Sequence, residues 1–162
     1  MSATLVGAVA ERISYAHPED PNVVIDTDLA RVDFDFVHAY LTRSYWCEGI
    51  SLELVVRAAT NSLIWGVYNG ETQIGYARVI TDRTTFAWLC DVFIIESEQK
   101  KGYGEWLVRT VVKHPALTGL RRFGLGTRDA HTLYEKVGFR PIAQPERLME
   151  ILNRDVYAAT KK

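Results

Sequence analysis

A surplus of positive charge is missing from this chain. Nineteen Lys and Arg stand against twenty Asp and Glu, for a formal net charge of −1. A protein that gripped nucleic acid by neutralising many phosphates would be far more basic, so no nucleic-acid partner is expected. Cysteine is also scarce. Cys47 and Cys90 are the only two; they show no metal-ligand spacing, so no metal is expected, and two do not make a disulfide framework. A reducing, cytoplasmic setting follows from that pattern. Cys90 lies inside an apolar run and reads as a small buried hydrophobe. No apolar stretch approaches the ~20 residues needed to cross a bilayer, so no membrane partner is expected. The mildly apolar opening Ala3 to Ala10 lacks the basic residues that precede a signal peptide's core. Internal repeats, low-complexity tracts and linkers are absent too. What remains is an ordinary globular composition, 48% hydrophobic and 24% charged over 162 residues. It suits one domain across 1–162 with a substantial core.

One stretch organises the rest. Asp91 to Ile95 is apolar and rich in β-branched residues after its first position, which predicts a buried strand. From Glu105 to Val112 the apolar residues Leu107, Val108, Val111 and Val112 fall at the spacing of a helix with one buried face. Between them lies a polar turn, Gln99-Lys100-Lys101-Gly102-Tyr103-Gly104. A strand, a glycine-bearing turn and a helix make an anion site. The first helical N–H groups lack internal partners, and the helix dipole adds partial positive charge there. Gly102 and Gly104 would let a phosphate approach the backbone, with Lys100 and Lys101 beside it. The turn is not a P-loop, because Glu105 follows Gly104 where Lys-Ser/Thr is required. It is not a dinucleotide fingerprint either, because it comes too late in the chain and has too few glycines.

Around this stretch the chain reads in order. Residues 1 to about 20 form a loose lead-in with a short strand near Arg12 to Tyr15, and Val23 to Ile25 predict the first main strand. Asp33 is placed to cap a helix through Phe34, Phe36, Val37, Tyr40 and Leu41. The acids at 33 and 35 read as first-turn residues rather than as a site for a cation. An aromatic connection, Tyr45-Trp46-Cys47-Glu48, leads to a second helix from Ser51. Tyr45 and Trp46 either plug the core edge or line a ligand site. Strands follow over 63–68, 73–80 and 84–95, the first pair joined at Asn69-Gly70, a strong hairpin signal. Beyond the central helix, 120–127 predicts another strand and Asp129 a cap for a short helix to Lys136, with Gly138 as its stop. Residues 139–142 and 148–152 are the last strand candidates, before a loose tail ending in Lys161-Lys162.

Gln99, Gly102 and Gly104 match the Gln/Arg-x-x-Gly-x-Gly/Ala loop that holds coenzyme A in the GNAT superfamily of N-acetyltransferases. The segment Ala130-His131-Thr132-Leu133-Tyr134-Glu135-Lys136-Val137-Gly138-Phe139 resembles that family's second signature, Ala-x-x-Leu-Tyr-x-x-x-Gly-Phe. The resemblance covers roughly 23–152. It implies an α/β (α+β-like mixed) GNAT fold: a mostly antiparallel mixed sheet of six to seven strands, flanked by about four helices and splayed at the fourth and fifth strands. It implies acetyl-coenzyme A as cofactor. Backbone groups of Val92, Phe93 and Ile94 would pair with the pantetheine arm, and the diphosphate would sit over Gln99, Lys100, Lys101, Gly102, Tyr103, Gly104 and Glu105. One departure stands out: where many relatives carry Asn seven residues before the tyrosine, this chain has Thr127, and Thr127 or Asp129 would take over that contact.

The implied reaction is direct attack of an amine on the thioester. An alkylamine of pKa ~10.4 is only about 0.1% neutral at pH 7, so a base or a water chain must take its proton. Asp91 is the first candidate base, as against a structural role in the sheet. Glu48 and His131 are weaker ones. Tyr134 is placed by the motif to protonate or hydrogen-bond the departing thiolate, and the amide of Val92 or Phe93 to stabilise the oxyanion. Phe34, Tyr45, Trp46, Glu48 and Arg78 are the candidates for the acceptor pocket. Arg78 would meet an acceptor carboxylate or a nearby acid. The acceptor itself, a small-molecule or peptide amine, is not legible. A non-catalytic acyl-coenzyme A sensor on the same scaffold is the competing reading. Dimers are common in this superfamily, which makes a homodimer one expectation.

Overall fold

The computed structural model describes residues 12–158. The start of the expected lead-in, the Ala3–Ala10 stretch and the final Lys161-Lys162 lie outside the described residues. The elements run β1 (Ser14–Ala16), β2 (Val23–Asp26), α1 (Phe34–Leu41), α2 (Leu52–Thr60), β3 (Leu63–Asn69), β4 (Thr72–Thr81), β5 (Phe86–Ile94), α3 (Tyr103–Val112), β6 (Arg122–Leu125) and α4 (His131–Glu135). The strands form one sheet in the order β1-β2-β3-β4-β5-β6. Every pairing is antiparallel except β5 with β6, which is parallel because α3 crosses over between them.

The period-2 alternation of the central strands divides the core in two. Trp65, Val67, Val79 and Leu89 face α3, whose Leu107, Val108 and Val111 are fully buried against them. Each of those helix side chains contributes roughly 1.5–3 kcal/mol by leaving water. Ile64, Tyr76 and Phe93 face the other way, onto Val37, Leu41, Val55 and Ala59 of α1 and α2. Both of those helices start on side-chain caps: Asp33 accepts from the Phe36 amide at 3.0 Å and Ser51 from the Leu54 amide at 3.4 Å. The hairpin forms at Asn69-Gly70, displaced by one residue. Asn69 pairs with Thr72, so Gly70 and Glu71 make the loop, and Gly70 takes the positive φ of 57° that a glycine-first turn needs.

Two features of β5 shape the site. On its β4 side the register jumps between Tyr76 opposite Phe93 and Arg78 opposite Cys90. Asp91 and Val92 therefore stand opposite Ala77 alone, a β-bulge, with Asp91 at φ 55°. On its β6 side pairing runs only from Phe86–Arg122 to Leu89–Leu125. Beyond that β5 continues to Ile94 without a neighbour. These are the fourth and fifth strands counted from Val23, the pair expected to splay.

The structure corrects three local expectations. Residues 139–142 and 148–152 are not strands; Pro145 opens a single 3-10 turn to Arg147, and the stretch after it lies exposed. Apolar β-formers become a strand only when they pair with a neighbour, and these residues pair with none among the described residues. The strand near 120–127 shrinks to Arg122–Leu125. Asp129 does not cap α4. The Thr127 hydroxyl accepts from the Ala130 amide at 3.0 Å instead, while the Asp129 carboxylate turns to Arg128 at 3.4 Å.

Candidate active site

Where β5 and β6 part, a cleft of about 840 Å³ opens. One wall is β5 from Leu89 to Ile94. The other is the loop from Gly126 to Ala130 together with Leu133 and Tyr134 of α4.

One end of the cleft is built for an anion. Gly102 sits at the start of α3 with φ 86°, and a Cβ added there would meet nothing within 4 Å. An added Cβ at Gly104 would come no closer than 3.9 Å, to Ile94. The first intrahelical bond runs from Trp106 to Gly102, so the amides of Tyr103, Gly104 and Glu105 have no acceptor among the described residues. Gln99, Lys100 and Gly104 line the cleft. The Gln99 side chain donates to the Ile94 carbonyl at 2.8 Å, pinning the turn to the end of β5. The remaining residues of the turn support it from behind. Lys101 pairs with Glu98 at 2.8 Å and the Tyr103 hydroxyl donates to Asp20 at 2.9 Å. Glu105 is held by Arg109 at 2.8 Å and Lys136 at 3.2 Å. Those hydrogen bonds, Arg109's first, hold its carboxyl below the usual range. An acid that would repel a phosphate is thus offset by two cations. A diphosphate fits this end: bare amides, no side chain in front of them and a lysine at the rim.

Tyr134 of α4 lines the cleft. Its hydroxyl makes no hydrogen bond among the described residues, while its ring packs edge-on against Phe139 at 5.9 Å. Burial, with smaller contributions from Tyr45 and Asp129, pushes its pKa up to about 12. The phenol therefore stays protonated at neutral pH, with its proton free to donate. His131, the exposed first residue of α4, does not line the cleft.

The other end is walled by aromatics. Tyr45 and Trp46 are exposed and line the cleft, packed edge to face at 5.0 Å. Cys47 is the residue of that connection that plugs the core. Tyr45 also reaches across the mouth: its hydroxyl accepts from the Arg128 amide at 3.1 Å, and the Arg128 guanidinium lies 3.8 Å over its ring. At the floor, Arg78 Nε donates to Asp91 at 2.8 Å and its Nη1 to Ser62 at 3.1 Å, both members of the ion pair being largely buried. The bulge places this pair, since Asp91 follows Cys90, the partner of Arg78 across the strands. Arg78 thus meets a neighbouring acid, the second of the two alternatives open to it. The Cys47 thiol lies 3.7 Å from Asp91, and burial, then Asp91, pushes it up to about 12; burial lifts Cys90 to about 11.

Phe34 packs into the α1–α2 core and Glu48 is exposed; neither lines the cleft. Sequence reasoning missed Trp88, Arg128, Tyr40 and Tyr157. Trp88 had a signal in Gly124 and Gly126: a Cβ at Gly124 would lie 2.7 Å from the indole, so the glycines make room for it. Tyr157 sits beside Cys47, Asp91 and Arg78, and no local pattern announces it.

The model of the acetyltransferase (GNAT) family matches residues 28–139. The chain belongs to the GNAT family. This GNAT protein is 41% identical to a GNAT-family protein of known structure from Xanthomonas campestris pv. campestris, xcc2953. That match covers 86% of this chain and 99% of the other, with a TM-score of 0.82. It is 29% identical over 136 residues to FG08082 of Gibberella zeae, assigned by name as an acetyltransferase, covering 70% of this chain and 76% of that one. A GNAT acetyltransferase from Elizabethkingia anophelis, solved with acetyl-CoA bound, shares the fold at 19% identity, covering 82% of this chain and 90% of the other, with a TM-score of 0.57. Acetyl-CoA is the donor that GNAT acetyltransferases use. No helix among the described residues is long and apolar enough to cross a membrane.

Proposed function

We propose that this chain, as one domain, is an N-acetyltransferase that moves the acetyl group of acetyl-CoA to a primary amine of a small molecule or exposed peptide by direct attack. The observation that carries the reading is one cleft lined by three things: the glycine turn that opens α3 with its bare amides, the Tyr134 phenol, and the aromatic residues Tyr45 and Trp46 with Asp91. Acetyl-CoA supplies an acetyl thioester when bound. The amides of residues 103–105 and Lys100 would hold its diphosphate. The stretch Val92 to Ile94, which has no strand beside it on the β6 side, would align the pantetheine arm, although the Ile94 carbonyl already serves Gln99. Thr127, occupied in starting α4, would shape the wall through its backbone rather than its hydroxyl.

In this reading Tyr134 donates its proton toward the departing sulfur. Asp91 receives the proton of the amine, with Arg78 fixing the direction of its carboxylate. Of the two carboxylates that line the cleft, Asp91 is the buried one; Asp129 is exposed and paired with Arg128. The amide of Val92 or Phe93 serves the oxyanion. Direct attack is favoured over an acyl-enzyme because both thiols near the site, Cys47 and Cys90, are held protonated by burial. Two free thiols also suit a reducing, cytoplasmic setting. The test is an amine panel with acetyl-CoA and a readout of released thiol. Turnover with some amine is expected. Tight acetyl-CoA binding without thiol release across small-molecule and peptide amines would replace catalysis with the sensor reading.

A further inference from the structure

Before residue 140, the large apolar side chains exposed among the described residues are Tyr45, Trp46, Leu52, Ile80 and Phe86. Four of these five line or adjoin the cleft. Tyr45 and Trp46 line it, and so does Trp88. Ile80 stands opposite Trp88 across β4 and β5. The Phe86 ring lies nearly parallel to the Trp88 indole, 11° apart with centroids at 6.4 Å. Single apolar residues are normal on a surface, whereas a cluster like this marks a place where something binds.

Strand alternation puts these residues on one face. Val79, Ala87 and Leu89 are buried on the α3 side. Ile80, Phe86 and Trp88 therefore point to the opposite face, as does Arg78. α1 and α2 cover that face only in part, since Ile80, Phe86 and Trp88 stay outside the core packed beneath them. Gly124 of β6 lies in register with Trp88, and a Cβ there would stand 2.7 Å from the indole. A Cβ at Gly126 would come to 3.8 Å. Two glycines thus seat the indole against β6, while part of it stays open to the cleft. Charge narrows the occupant further. The carboxylates lining the cleft are Asp91 and Asp129, and each already holds an arginine, Arg78 at 2.8 Å and Arg128 at 3.4 Å. A second ammonium group on the acceptor would find no unpaired acid there among the described residues.

We propose that the acceptor is a monoamine with an aromatic or bulky apolar body, which lies over Trp88 toward Phe86 and Ile80 while its amine meets Asp91. This names the substrate class of the cleft and rests on the acetyl-transfer reading of it. The occupant is the acceptor because the apolar face starts inside the cleft and runs back from Asp91 along the same strand. At a rise of ~3.3 Å per residue, Trp88 stands roughly 10 Å and Phe86 roughly 16 Å from Asp91. A ring carried a few carbons from the amine reaches Trp88, and a longer body reaches Phe86. Polyamines and lysine-rich peptides are poor acceptors in this arrangement, because their further charges would lie on apolar rings or beside paired acids.

Thiol release from acetyl-CoA with 4-phenylbutylamine, butylamine and spermidine tests it. The first two share an ammonium group and a stem and differ by the ring. The phenyl amine should exceed both others about 10-fold in kcat/KM, the effect of covering roughly half a phenyl ring. Trp88→Ala and Phe86→Ser should each raise its KM and narrow that ratio, with kcat changed far less and circular dichroism retained. Titrating the phenyl amine and butylamine into the coenzyme A complex by calorimetry needs no turnover and should show the same ratio in affinity. It also separates the two failures. Selective binding of the phenyl amine with no thiol release from any amine would remove catalysis while upholding the amine class. Equal affinity for the two amines, a preference for spermidine, or variants that slow all amines alike would overturn the proposal. So would a Phe86→Ser variant that breaks a dimer and leaves amine selectivity untouched, since the face would then belong to a protein contact.

Discussion

The two edges of β5 are made by the same nine residues and do opposite things. Toward β4 the strand is paired along its length, with one bulge that buries the Arg78–Asp91 pair. Toward β6 it pairs for four positions and is then released. The paired edge determines where side chains point, and the released edge makes room for something other than protein. A bulge re-aims a side chain within a sheet, while a splay exposes backbone groups to a ligand. Substitutions on the first edge should therefore cost stability, and on the second they should cost binding or turnover.

The largest effect expected is on the paired edge. Arg78→Met leaves Asp91 buried without its cation and should lower unfolding free energy by about 3–5 kcal/mol in urea denaturation. Adding Asp91→Asn should recover much of that loss. An unchanged midpoint in the single variant would mean that the pair is solvated and the contrast between the edges is false. On the released side, Gly104→Val puts a side chain before the bare amides with little to clash against. Calorimetry should show acetyl-CoA affinity down on the order of 100-fold, ~2.7 kcal/mol, with the melting temperature retained. Tyr134→Phe should lower kcat about 30-fold and leave that affinity nearly intact. This falls below the usual range for an acid catalyst, because a thiolate departs readily. The protonated phenol is the working form and its pKa is raised to about 12, so this tyrosine should impose no falling limb near pH 10.

Two smaller tests probe the core beside each edge. The Tyr76 hydroxyl is buried on the α1–α2 side without a partner among the described residues, so Tyr76→Phe should stabilise the fold by up to about 1 kcal/mol. On the other face, buried His114 accepts from the Ala116 amide through Nδ1, and burial, then Arg83, lowers its pKa. A depressed histidine binds its proton less readily folded than unfolded. Its contribution is present above about pH 6.5 and is lost as pH falls through that value toward the folded pKa. Melting temperature should drop modestly between pH 7 and 5, and His114→Gln should flatten that drop.

Much of this was legible in the chain. Asp33 announced its helix because a cap is a contact between neighbours three residues apart. Gly104 and Leu133-Tyr134, which line the cleft, stand in patterns that are local for the same reason, each lying on one element. The Arg78–Asp91 pair, the Tyr45–Arg128 clasp and the approach of Tyr157 were not legible, since the partners are far apart in sequence and only register brings them together. The missing hairpin at 139–152 failed for a related reason. Strand propensity says which residues would suit a sheet and nothing about whether a neighbouring strand is present.

By itself, then, the order of residues determined the main helices and central strands, their buried faces and an open glycine turn before α3, because helix caps, side-chain period and glycine geometry act over a few residues. Only the tertiary structure decided that β5 would bulge on one side and part from its neighbour on the other. Those outcomes depend on how ten residues of β4 and four of β6 line up against it, and strand register is settled by packing across the sheet rather than along the chain.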